Sequence, residues 1–90
     1  MPPDHESILT TSLLFARIGR ALVDDESLVR VEAQTVADQT VLQLLVAAQD
    51  VGKLVGKQGH TARSLRTILG AIGKCQGVRY SLDIVQPERD

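Results

Sequence analysis

The sequence predicts an α+β fold: a three-stranded mixed sheet with helices packed on one face, in the order α-β-β-α-α-β. Three observations carry this. Apolar residues recur at helical spacing early in the chain and again after Gly59. Two strand-like runs in the middle are separated by only about four residues, which suits an antiparallel hairpin. The last strand-like run lies beyond two helices, and a crossover of that length joins parallel neighbours.

Over residues 8–23 the apolar positions Ile8, Phe15, Ile18 and Leu22, with Leu14 and Ala21 beside them, form a helical stripe. Asp4 or Ser7 is placed to cap this helix. Gly19 inside it costs roughly 1 kcal/mol against alanine, a cost offset if another backbone packs there, as at a dimer contact. The acidic stretch Asp24-Asp25-Glu26-Ser27 ends the helix. Val29, Val31 and Ala33 then alternate with Arg30, Glu32 and Gln34, the period of a half-buried strand. After a break at Ala37-Asp38-Gln39, residues 40–48 are apolar at nearly every position, as a central strand requires.

Asp50 is placed to cap a very short helix, Val51–Val55, which Gly56 stops. In the helix after Gly59, Ala62, Leu65, Ile68, Leu69 and Ile72 form the expected buried stripe, with His60, Arg63 and Thr67 off it. Gly73 and Gly77 end that helix. Tyr80, Leu82 and Ile84 fall on one side of the last strand, Arg79–Val85. This divides the chain into a flexible extension (1–7), one domain (8–85) and a flexible tail (86–90), without repeat or linker. Ninety residues hold one modest core.

Composition narrows the function. Hydrophobic residues make up 43% and charged residues 23%, the mix of a folded globular domain. The single cysteine, Cys75, excludes an intramolecular disulfide and a multi-cysteine zinc site, and fits a reducing compartment. No apolar run approaches the ~18 residues of a membrane span, and the first residues lack the basic region of a signal peptide. A cytoplasmic protein with no membrane partner is expected. Phe15 and Tyr80 are the only aromatics, which argues against folds that read bases on a stacking platform.

The net charge of −1 conceals a partition: −5 over residues 1–50, +6 over residues 51–82, and −2 over the last eight. The middle segment carries Lys53, Lys57, Arg63, Arg66, Lys74 and Arg79 and no acid. Such a patch attracts a polyanion whatever the total charge. Nothing in the sequence pairs a nucleophile with a base, sets two carboxylates in a cleft or clusters metal ligands. The expectation is a protein that is not an enzyme, with no metal, no cofactor and no small-molecule substrate.

The informative stretch is Gly52-Lys53-Leu54-Val55-Gly56-Lys57-Gln58-Gly59-His60-Thr61-Ala62. It is not a P-loop. Only three residues separate Gly52 from Gly56, and Gln58 stands where a magnesium-binding hydroxyl is needed. The spacing suits a tight Gly56-Lys57-Gln58-Gly59 loop between two helices. Glycine at each end permits the reversal and lets the backbone approach a ligand. The loop opens into a helix N-terminus, which favours anions. Lys57 and Gln58 offer a charge and an amide to phosphate oxygens, while Leu54 and Val55 would line an apolar groove for base faces.

These residues resemble the KH domain, whose signature is an aliphatic pair, then Gly-x-x-Gly, then a helix; here that is Leu54-Val55-Gly56-Lys57-Gln58-Gly59. The element order matches its type II arrangement. Nearly the whole chain resembles the small bacterial single-KH proteins of the KhpA type, through Arg20-Ala21-Leu22-Val23-Asp24, Asp50-Val51-Gly52-Lys53, the loop itself and Leu65-Arg66-Thr67. The resemblance implies a loop that grips about four nucleotides of single-stranded RNA with broad sequence preference. The residues expected at the RNA are Lys53, Leu54, Val55, Gly56, Lys57, Gln58, Gly59, His60 and Arg63. It also implies an RNA chaperone or post-transcriptional regulator in the bacterial cytoplasm. Homodimers, or heterodimers with a larger KH protein of the Jag type, are the implied assemblies. His60 departs from the family, which often carries arginine there. A competing reading is a protein-assembly module in which RNA binding is secondary; Gly19 and the apolar first helix favour it.

Overall fold

The computed structural model describes residues 5–86. Helix α1 spans His5–Leu22, strand β1 Arg30–Val36, strand β2 Gln39–Leu45, helix α2 Val51–Val55, helix α3 His60–Gln76 and strand β3 Arg79–Val85. The order is the expected one. The sheet runs β1-β2-β3, with β1 antiparallel and β3 parallel to the central β2. Helix α1 begins three residues before the expected domain boundary, so His5, Glu6 and Ser7 are helical rather than part of an extension. The proposed Asp4 cap and residues 87–90 of the tail lie outside the described residues.

Register fixes which side chains meet the helices. Cross-strand neighbours Val31, Leu44 and Ile84 form one row, and Ala33, Leu42 and Leu82 the next. Leu42 and Leu44 of β2 are fully buried, and they join Phe15, Leu54, Leu65 and Leu69 in one core. The burial of Leu42, Leu44 and Leu45 in β2 follows from its position: it is the strand paired on both edges.

Three expectations about the helices are corrected. The buried side of α1 is Ile8, Thr11, Phe15, Ala16 and Gly19, whereas Leu14 and Leu22 are exposed and Ile18 is half-buried. A polar residue and a glycine occupy the stripe, which shifts it away from the leucines. On α3, Ile68 is 47% exposed, because Leu65 and Leu69 already meet the sheet and residue 68 turns away from it. Gly73 does not end α3. The helix runs to Gln76 and closes at Gly77, whose φ of 73° is left-handed, with the Val78 N–H bonded to the Gly73 carbonyl at 2.9 Å.

Gly19 also has a different role from a contact between copies. A methyl group there would lie 3.0 Å from Leu44 and 3.1 Å from Val29, so the glycine lets α1 settle on its own sheet.

Buried and half-buried polar groups tie the layers together. The Tyr80 hydroxyl donates to Gln76 Oε1 at 2.6 Å, Gln76 Nε2 donates to Thr11 Oγ1 at 3.0 Å, and Thr11 donates to the Ser7 carbonyl at 2.9 Å. This chain of bonds joins β3, α3 and α1. No helix of the described residues is long and apolar enough to cross a membrane.

Candidate nucleic-acid interface

The loop is shaped by two glycines. Gly56, at φ 77° and ψ 175°, stops α2 in a region closed to residues with a side chain. Its carbonyl accepts the Gly59 N–H at 3.1 Å, closing a single tight turn over Lys57–Gly59. Within that turn Gln58 is left-handed (φ 57°, ψ 24°), and Gly59 follows at φ 77° and ψ 12°. Two successive left-handed residues swing the chain directly into α3. Lys57 and Gln58 are left exposed at the tip.

Residues 14–84 match the KhpA/KhpB KH-domain family. The chain belongs to that family. It is 46% identical over 72 residues to the RNA-binding protein KhpA of Treponema pallidum (strain Nichols), covering 80% of this chain and 90% of that one. A protein of the same description from Aquifex aeolicus (strain VF5) is 43% identical over 68 residues, 76% of this chain and 86% of its own. A third, from Halalkalibacterium halodurans, is 39% identical over 72 residues, 80% of this chain and 95% of its own. In KH terms, Gly56-Lys57-Gln58-Gly59 occupies the Gly-x-x-Gly position, and the α-β-β-α-α-β order is that of type II.

Of the nine residues expected at this KH loop, seven stand together on the surface. Lys57, Gln58, His60 and Arg63 are exposed, Val55 is 37% exposed, and Gly56 and Gly59 are half-buried. Leu54 does not join them. It is fully buried in the core, because the side chain three residues after Val51 on this short helix points at the sheet. Val55 alone of the aliphatic pair reaches the surface.

Lys53 is committed elsewhere. Its ammonium lies 2.6 Å from Asp24 Oδ2 and 3.1 Å from Asp50 Oδ1. Asp50, expected to cap α2, makes no capping bond. Its buried carboxylate instead accepts the backbone N–H groups of Asp24 at 3.2 Å and Asp25 at 3.1 Å. Burial pushes the Asp50 pKa up, but the two backbone N–H groups and Lys53 outweigh it and hold the carboxyl below its ordinary value. The hydrogen bonds to Asp24 and then Asp50 raise the Lys53 pKa. This cluster fastens α2, and so the KH loop, to the corner where α1 turns toward β1.

Arg66, which was not among the residues expected at the RNA, is a further cation on the same helix as Arg63. It is exposed, and its Nε donates to the Leu82 carbonyl at 3.2 Å, which places its guanidinium across the free edge of β3. The available signal was its spacing, three residues beyond Arg63 on the same helix. Among the described residues, Lys57, Arg63, Arg66 and Lys74 have no carboxylate within salt-bridge distance, whereas Arg79 faces Asp38 at 3.7 Å. The basic surface is therefore concentrated on the loop and one flank of α3.

Proposed function

We propose that the protein binds single-stranded RNA through the Gly56-Lys57-Gln58-Gly59 loop, as an RNA chaperone or post-transcriptional regulator in the bacterial cytoplasm. The observation that carries this reading is the loop itself. Two glycines with positive φ present Lys57 and Gln58 to solvent, followed along α3 by Arg63 and Arg66, which lack acidic partners among the described residues. Phosphate oxygens meet the Lys57 ammonium and the Gln58 amide, while the N-terminal turn of α3 adds free N–H groups. Val55 and the aliphatic stems of Arg63 and Arg66 offer apolar contact to base faces. The RNA-binding description of the relatives supports the same reading.

Fluorescence anisotropy of a short labelled single-stranded RNA tests it. If Lys57, Arg63 and Arg66 neutralise about three phosphates, log K falls against log salt with a slope of roughly −2. Lys57→Asp/Gln58→Asp should abolish binding and leave the melting temperature nearly unchanged. Both positions are exposed, and aspartate tolerates the left-handed conformation of residue 58 better than most residues. Equal binding by the double variant would refute the loop as the site.

A second reading, assembly with a KH partner or a second copy, is favoured by one observation. Leu9, Leu13 and Leu14 of α1 are 59%, 58% and 43% exposed. Under that reading the charge reversal in the loop would spare assembly. Pairing would also raise the avidity of a weak single-site grip without any new RNA contact.

A further inference from the structure

Beyond Arg66 the space between α3 and the free edge of β3 continues toward the far end of the helix. It holds two adjoining depressions. One, of about 220 Å³, is lined by Arg66, Leu69 and Leu82; the other, of about 460 Å³, by Gly70, Gly73, Lys74, Gly77 and Arg79. Tyr80 lines both. Of Phe15 and Tyr80, Phe15 is fully buried, so Tyr80, half-buried, is the one benzene-type ring within reach of a ligand.

Three features make this a receptive place. First, the ring is held in position: its hydroxyl is bonded to Gln76 and, through it, to Thr11. Gly73 permits the close fit, since a methyl group there would sit 3.1 Å from Tyr80 Cδ2 and 2.4 Å from the Val78 carbonyl oxygen. An aromatic surface fixed in this way loses little entropy when something stacks on it. Second, Arg66, Gly70 and Lys74 follow one another at intervals of four along one ridge of α3, which spans about 12 Å at 1.5 Å per residue. Gly70 is the gap in that ridge, with nothing within 4 Å of where its Cβ would stand. Third, the rim is cationic. Lys74 carries no ion pair among the described residues, and Arg79 is shared with Asp38. The carbonyl end of α3 also faces this region and weakens it as an anchor for phosphate alone. The ring and the bare helix surface therefore select for a flat, weakly polar group with an anion attached: a nucleotide.

We propose that a single strand held at the Gly56–Gly59 loop continues along the β3 edge into a further nucleotide subsite. There a base lies against Tyr80 in the gap at Gly70, and a phosphate meets Lys74. This rests on the RNA-binding reading above, and the test separates the two.

The probe is an unstructured RNA of about eight nucleotides, twice the length that such a loop grips. Gly70→Gln fills the gap without changing charge, and it should fold at least as well as the wild type because glutamine is the better helix former. It should weaken binding of this RNA at least about five-fold, the low end of what one stacked base contributes. A four-nucleotide RNA should bind wild type and variant alike. Lys74→Gln should lower the salt slope on the longer RNA by about 0.7, the value of one phosphate. Because the chain has one tyrosine, fluorotyrosine labelling gives a single fluorine resonance; the longer RNA should shift it and the shorter one should not. Unchanged affinity for the longer RNA in Gly70→Gln, with an unshifted resonance, overturns the subsite. Binding that survives Lys57→Asp/Gln58→Asp overturns the loop reading instead.

Discussion

Replacing Gly56 and Gly59 separately by alanine tests whether the loop's two glycines do the same work. Both have φ near 77°, but the surroundings differ. At Gly59 the conformation is simply left-handed and nothing lies within 4 Å of the missing Cβ. Alanine there costs about 1–2 kcal/mol for the backbone region, offset by about 0.4–1 kcal/mol from a less flexible unfolded chain. At Gly56 the ψ of 175° puts the residue in a region that only glycine occupies, costing about 1–3 kcal/mol. A methyl group would also stand 2.2 Å from Thr61 Oγ1 and 2.9 Å from the Thr61 backbone nitrogen. A rotamer change moves the hydroxyl but not the nitrogen, so overpacking adds about 1–3 kcal/mol. The expected losses are thus about 1 kcal/mol at Gly59 and about 2–4 kcal/mol at Gly56. At about 4–8 °C per kcal/mol for a domain of this size, thermal unfolding followed by circular dichroism separates them readily. Urea titration with an unchanged m-value confirms that stability and not compactness has changed. Gly56→Ala no more destabilised than Gly59→Ala would refute the steric argument.

Other outcomes follow from the same geometry. Gly73→Ala should lose about 1–3 kcal/mol by driving α3 away from the Val78 carbonyl, while Gly70→Ala, one turn earlier and unobstructed, should gain up to about 1 kcal/mol; paired thermal melts check the opposite signs. Ala37→Gly should stabilise the hairpin slightly, because Ala37 sits at φ 58° and the relief of about 1–2 kcal/mol exceeds glycine's entropic cost of about 0.5–1 kcal/mol; equal or lower stability in urea would count against it. Thr11→Val should cost about 1–3 kcal/mol by leaving Gln76 Nε2 short of its best acceptor, measured by chemical denaturation. The depressed carboxyl of Asp50 gives stability that is present above its ordinary pKa of 3.8 and is lost as pH falls below it; Asp50→Asn should be less stable at neutral pH and lack that acid-side loss in a series of melts from pH 6 downward. The raised pKa of Lys53 acts oppositely, giving stability that is full below its ordinary value of 10.5 and fades as pH rises through the higher folded value.

Local chemistry made most of the fold legible in the sequence. The bounds of Val51–Val55 follow from Gly56, the hairpin from the short break at Ala37-Asp38, and the parallel pairing of the last strand from the length of the crossover. The loop was legible because glycine spacing is itself a statement about backbone shape. Contacts between distant parts of the chain were not. Asp24 and Lys53 meet across 29 positions, and nothing in either neighbourhood marks the pairing. Asp50 precedes a helix and therefore reads as a cap, yet burial of its carboxylate against a distant corner gives it other donors. Thr11 was invisible to an apolar pattern, since its burial depends on Gln76 and Tyr80, more than sixty residues on. Leu54 and Ile68 were misplaced for the same reason: an apolar side chain has two faces of a helix to choose from, and the neighbouring layer decides.

The parallel pairing of β2 with β3 also dictates when the molecule becomes complete. The β1–β2 hairpin closes through two residues, whereas β3 reaches β2 only after residues 46–78 have been made and folded into the crossover. Closing a loop of that length costs more chain entropy than closing the two-residue hairpin turn, so the last strand pairs at the greater entropic cost. Until then the central strand presents an unpaired apolar edge, open to the wrong partner. The wall that Arg66 leans on, and that carries Tyr80, does not yet exist either. A nascent chain thus displays its basic loop before the β3 wall is in place, and on the proposed reading full-strength RNA binding waits for this last strand of the domain to dock.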